Sequence, residues 1–236
     1  MLIQPVVLTM PRRDPQHVDT IRSAFTGARG FAEPLVYRDA LGVGAAVATR
    51  EAIALAGAGG LHVLFLEDDV LVDHEAPARI AATSFPSNVA AISFCDMREV
   101  AEFSPSGLYV LNPMGSDGRG WWGNQAILLH SDTAAMCGKH DWFSPEIESS
   151  LGIHVHKEAY GDNGRNCSDV RLSLLIELHG GERNNYAVHV PSLFRHVGYE
   201  SVCFPGRGLG ERETRNWIAD RRRFDVDAII GADPAS

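Results

Sequence analysis

The sequence predicts an α/β architecture, with a mostly parallel central sheet flanked by helices, in one domain. Three observations carry this. Short aliphatic and β-branched runs alternate with segments whose apolar residues recur at helical spacing. The run His62 to Leu66 is apolar on both faces, as in a strand covered on both sides. The 236 residues, 45% hydrophobic and 22% charged, suffice to bury a sizeable core.

Leu2 to Met10 reads as a first strand, halted by the PRRDP of Pro11 to Pro15. A helix follows over His17 to Thr26, with Val18, Ile21 and Phe25 on one face. Pro34 to Asp39 is a short second strand. Gly42 and Gly44 precede an Ala-rich helix, Ala45 to Ala56, which the glycines from Gly57 close. After the third strand come Val89 to Phe94, Gly107 to Pro113 and Ala126 to Leu129 as strands, and a short helix after Ser131. Lys139 to Arg165, rich in His, Gly, Asp and Asn, reads as loop. Ser168 to Leu178 is a helix with Ser168 as N-cap and Gly180 beyond its end. Tyr186 to Gly198 is a late strand running into a loop. Gly210 to Phe224 is a polar helix with Glu211 four residues before Arg215.

The formal net charge of −9 argues against a protein that wraps nucleic acid over its whole surface. The four cysteines, Cys95, Cys137, Cys167 and Cys203, form no C-x-x-C pair and fit a reducing compartment. The N-terminal charges follow the apolar run, the reverse of a signal peptide, and no apolar stretch reaches the roughly 20 residues of a membrane span. The expectation is a soluble, cytoplasmic protein.

The segment LHVLFLEDDVLVDHEAP, Leu61 to Pro77, holds the chemistry. Glu67, Asp68 and Asp69 stand between two apolar runs, where desolvation and mutual repulsion disfavour three negative charges unless a cation compensates. A solvated turn is the ordinary reading of an acidic triplet, but these flanks argue for burial. The carboxyl ends of parallel strands are where open α/β sheets bind ligands. Mg²⁺ or Mn²⁺ carrying a nucleotide diphosphate would supply the charge.

FLEDDV, after an N-terminal strand, helix and Gly-opened helix, resembles glycosyltransferases of the A-type (Rossmann-like) fold whose acidic signature is E-D-D. VPSLFRHVGYESV, Val190 to Val202, is similar to a P-S-L-x-x-H-x-G-x-x-S segment late in their catalytic domains. The resemblance spans roughly Val6 to Ser201, with the middle third weakly matched. It implies a metal-dependent, inverting transfer of a sugar from a nucleotide-sugar donor, foremost a UDP-sugar, to an acceptor hydroxyl. One catalytic domain would divide into a nucleotide-sugar-binding half (1–100), an acceptor-binding half (101–205) and a C-terminal helix and tail (206–236).

Carried over residue by residue, the resemblance makes Asp69 and His196 metal ligands, the imidazole favouring Mn²⁺ over Mg²⁺. Glu67 would lie near the donor's ribose or sugar, and Asp68 would share the metal shell or bind a donor hydroxyl. Thr9, Pro11 and Arg12 would hold the base, Asp39 would face base or ribose, and Arg50 would meet a phosphate. For Arg12 and Arg13 a solvated loop is nearly as good a reading.

Asp169, in the first turn of its helix, is the candidate base, kept ionised by the helix N-terminus, with Asp162 in reserve. A plain helix-stabilising acid is the strong alternative for Asp169. Trp121, Trp122, Gly123, Asn124 and Gln125 are candidate acceptor contacts, a flat aromatic face beside two amides, with core tryptophans an equal reading. His154 and His156 read as surface loop. The arginines Arg207, Arg212, Arg215 and Arg221 to Arg223 suit a solvated helix or contact with an anionic acceptor or nucleic acid. The acceptor classes left open are a saccharide, a glycolipid and a hydroxylated nucleobase. Two other functions compete: a nucleotidyltransferase of related fold, and a non-catalytic metal-stabilised binding domain.

Overall fold

The computed structural model describes residues 1–11, 13–95, 106–111, 125–154 and 168–197. Seven strands form one sheet: β1 (Ile3–Thr9), β2 (Leu35–Arg38), β3 (His62–Glu67), β5 (Val89–Ser93), β6 (Gly107–Leu111), β7 (Ala126–Leu129) and β8 (Asn185–Val190). Their order is β2-β1-β3-β7-β5-β8-β6. A separate two-stranded sheet joins β4 (Val70–Val72) to β9 (Phe194–His196).

The sheet is mixed. β1 is parallel to β2 and β3, and β5 to β8, but β7 runs antiparallel between β3 and β5, and β6 antiparallel to β8. The α/β class is as expected, and five of the seven strands, β1, β2, β3, β5 and β8, run the same way, with β7 and β6 reversed. Direction is invisible to a hydrophobic pattern when a strand is covered on both faces. All four residues of β7 and all five of β5 are buried, so neither alternates.

Helices cover both faces. On one side α1 (Pro15–Phe25) buries Val18, Ile21 and Phe25 with α3 (Ala76–Ala82), Val70 and Phe194 against Leu64, Leu66 and Ile92. On the other, α2 (Ala45–Gly57), α4 (Ser131–Lys139), α5 (Pro145–His154) and α6 (Ser168–His179) pack on Val63, Phe65, Ile127 and Leu129. α2 and α4 approach closely because small residues meet: a Cβ on Gly57 would lie 3.2 Å from that of Ala134. Asp14 caps α1, its carboxylate accepting from Gln16 N at 2.9 Å.

α5 corrects the loop reading of Lys139 to Arg165. Pro145 opens it, Glu146 and Glu148 occupy its first turn, and Ile147 and Leu151 share a buried face. That one turn of apolar spacing was hidden among His, Gly and Asp. Buried Arg171 ties α6 to this region, donating to Trp142 O and to Glu148 Oε1, each at 2.7 Å. Ser168 stands at the start of α6. At the other end Gly180 N donates to Ile176 O, and a Cβ on Gly180 would collide with the carbonyls of Ile176 and Arg183. The proposed C-terminal helix lies outside the described residues, as do Cys167 and Cys203; Cys95 and Cys137 are buried. Among the described residues no helix is long and apolar enough to cross a membrane.

At the amino edge of the sheet two imidazoles start α4. His62 Nδ1 accepts from Ser131 N at 3.0 Å and His130 Nδ1 from Asp132 N at 3.2 Å, with the rings edge to face. Burial, then the neighbouring His130, pushes His62 below its usual pKa; burial, then Arg183, does the same to His130. The unfolded chain therefore binds more protons between the folded values and about 6.5, so stability is full above about 6.5 and falls as pH drops through that window. Denaturation midpoints at pH 7.5 and 5.5 should show this loss. His62→Asn, which keeps an acceptor and cannot titrate, should reduce it.

Candidate functional site

The acidic triplet lies where β3 leaves the sheet. β3 is fully buried from Val63 to Leu66 and flanked by β1 and β7. Glu67 is its last residue, half-buried, with its amide donating to Gln125 O at 2.9 Å. By alternation Glu67 shares the Phe65 side of the sheet, which faces α2. Asp68 and Asp69 form the turn into β4.

Asp68 is buried and engaged at both oxygens. Oδ2 accepts from Thr9 Oγ1 at 2.7 Å and from Met10 N at 3.3 Å; Oδ1 meets Arg13 Nε at 3.0 Å. These donors are there because β1 lies beside β3 and ends at the same edge. Burial still wins: the Asp68 carboxyl is raised above the usual carboxylate range, against the lowering by Thr9 and then Arg13, with Asp69 adding to the rise. A carboxylate so occupied anchors the β1 end and Arg13.

Asp69 is held differently. Its Oδ2 lies 3.1 Å from His196 Nε2, which donates, and 3.9 Å from Arg13 Nη2. Its Oδ1 is buried with no hydrogen-bond partner. The partner 127 residues away is delivered by the small sheet, in which Val70 pairs with His196 and Val72 with Phe194. Val197 N donates to Asp69 O at 2.7 Å and Asp73 N to Leu193 O at 3.0 Å, closing the pair at both ends. Neither β4 nor β9 was anticipated, because three-residue strands carry too few positions to show a period.

The other expected residues divide. Asp39 is buried, its amide bonded to Thr9 O and its Oδ1 accepting from Val43 N at 3.0 Å. It stands beside the site and shapes the loop in which Gly42 and Gly44 take φ of 65° and 97°. Pro11 is exposed in the turn after β1, and Arg50 is half-buried on α2. Gln125 is buried, with Oε1 lacking a hydrogen-bond partner, immediately before β7 and beside Glu67. Asp169 is half-buried in the first turn of α6, where its Oδ1 accepts from Val170 N at 2.9 Å. α6 ends near the amino end of β5, where Arg183 donates to Val89 O, so its first turn lies towards the carboxyl edge. Arg12, Trp121, Trp122, Gly123, Asn124, Asp162, His156 and the C-terminal arginines lie outside the described residues.

The sequence offers Arg13 no role beyond a solvated loop, whereas Arg12 is expected to hold the base. The ion pair of Arg13 with Asp68 makes it part of the site. The strand order, which sets the end of β1 against Asp68, brings Arg13 there.

No protein-family model matches the chain, and no curated protein matches it. Function must be argued from these side chains.

As a metal centre the turn offers a pair of ligands. Donors at adjacent vertices of an octahedral ion with bonds of about 2.1 Å are about 3.0 Å apart, close to the observed His196–Asp69 separation. The unmatched Asp69 Oδ1 leaves that carboxylate capacity to bind. Among the described residues no group of three or more His, Cys, Asp or Glu could hold a metal ion, so the remaining positions would fall to ligand and water.

The Thr9–Asp68 bond fixes this geometry. Thr9→Val should leave Asp68 short of its strongest donor and cost about 1–3 kcal/mol in a urea titration.

Proposed function

We propose that the protein is a metal-dependent, inverting glycosyltransferase of the A-type fold, using a nucleotide sugar, foremost a UDP-sugar. The observation that carries this is the contact of Asp69 with His196. Two motifs 127 residues apart, each resembling that family, meet side chain to side chain. The mixed α/β sheet with its acidic turn at the end of β3 is compatible with such a fold.

Asp69 and His196 would hold the ion, Mn²⁺ in preference to Mg²⁺. Bound there, a divalent cation would neutralise the departing diphosphate. Glu67, next to the pair on the α2 side, is placed to accept hydrogen bonds from donor hydroxyls. Thr9 and Asp39 line the same edge and would border the nucleoside. Asp169 is the base in this reading, taking the acceptor hydroxyl's proton as the glycosidic bond forms. The acceptor is a saccharide, a glycolipid or a hydroxylated nucleobase.

Mn²⁺-dependent release of free nucleoside diphosphate, tested across UDP-, GDP- and other nucleotide sugars, is the direct experiment. Pyrophosphate release would mean a nucleotidyltransferase, and absence of Mn²⁺-linked nucleotide binding a non-catalytic domain. Asp69→Asn and His196→Gln should each abolish Mn²⁺-linked donor binding in calorimetry; normal binding by either variant would separate the two motifs. Asp169→Asn should cut turnover by roughly 10²–10⁴ with donor affinity intact. Unchanged turnover would remove Asp169 from the chemistry.

A further inference from the structure

Arg13 is fixed from several directions. Its amide donates to Met10 O at 3.1 Å, and the next residue, Asp14, caps α1. Its Nε is anchored on Asp68 Oδ1 at 3.0 Å, while Thr9 and the Met10 amide hold the other oxygen of Asp68. The guanidinium is thereby set with Nη2 at 3.9 Å from Asp69 Oδ2, the oxygen that also meets His196. The two contacts are unequal: a close ion pair to Asp68 at 3.0 Å and a looser one to Asp69 at 3.9 Å. A cation binding at Asp69 and His196 would compete with the looser contact and leave the tighter one intact.

We propose that Arg13 is the second cation of this site: it screens Asp69 in the ion-free protein, and turns its Nη end to the donor's diphosphate when a divalent ion takes Asp69. The ligand's identity rests on the glycosyl-transfer reading. The chemistry suits arginine, whose planar fork matches phosphate oxygens and whose Nε can stay on Asp68 meanwhile. Anchoring at Nε also reduces the side-chain freedom lost on binding.

The test is calorimetry on the full chain with MnCl₂ alone, then with UDP at saturating Mn²⁺, for wild type, Arg13→Gln and Arg13→Lys. Arg13→Gln should bind Mn²⁺ roughly fivefold tighter, because a competing charge about 4 Å from Asp69 is gone. It should bind UDP at least roughly tenfold more weakly. Arg13→Lys should keep Mn²⁺ affinity within about twofold and lose UDP affinity several-fold, having charge without the fork. An arginine with a purely structural role would instead weaken Mn²⁺ and UDP together, in step with a lower melting temperature; that result overturns the proposal. If Arg13→Gln does not fold, Arg13→Lys decides: unchanged UDP affinity overturns the proposal, and selective loss of UDP affinity supports it. A wild-type protein that binds Mn²⁺ and UDP while both variants match it removes Arg13 alone. A wild-type protein that binds neither removes the transferase reading and this inference with it.

Discussion

The desolvation of consecutive carboxylates at the end of a buried strand is the constraint on which the rest of this structure depends. β3 is covered on both faces, so Asp68 and Asp69 emerge into a neighbourhood with little water. Isolated charges there would be neutralised or would destabilise the fold. The molecule answers with donors from three separate parts of the chain. β1, paired with β3, brings Thr9 and the Met10 amide; the turn after it brings Arg13; β9 brings His196.

These partners give two neighbouring aspartates different characters. Asp68 is saturated and acts as a structural node, yet burial still outweighs its donors and pushes its carboxyl upward. Asp69 keeps one buried oxygen without a hydrogen-bond partner, on a side chain only 14% exposed. Chemical type is therefore a poor guide to role within an acidic run. The number of donors already committed to each oxygen separates an anchor from a ligand.

Much of the architecture was legible because it depends on local pattern. The Ala-rich α2, the apolar β3 and the amphipathic α1 each announce themselves through composition and period. Features that depend on pairing were not legible. The reversed direction of β7 follows from which strands flank it, and its four buried residues carry no trace of that. The three-residue strands β4 and β9 are too short to show alternation, although they create the Asp69–His196 contact. α5 was masked by its polar neighbours. At the site, Asp69 and His196 could be nominated from their motifs, but the place of Arg13 beside Asp68 shows only once β1 and β3 are side by side.

The β4–β9 pairing has a consequence for how the chain gains competence. Asp69 and His196 enclose most of the fold between them, so their contact is a long-range closure that exists only after the intervening sheet has formed. No fragment ending before β9 can present both groups. A ligand that bridges the two side chains would bind the native state alone, and by mass action would hold shut the span between them. The affinity of this small site is thus coupled to the folding of the four sheet strands between the two residues, β5 to β8, and a destabilising change among them would surface as weaker ligand binding.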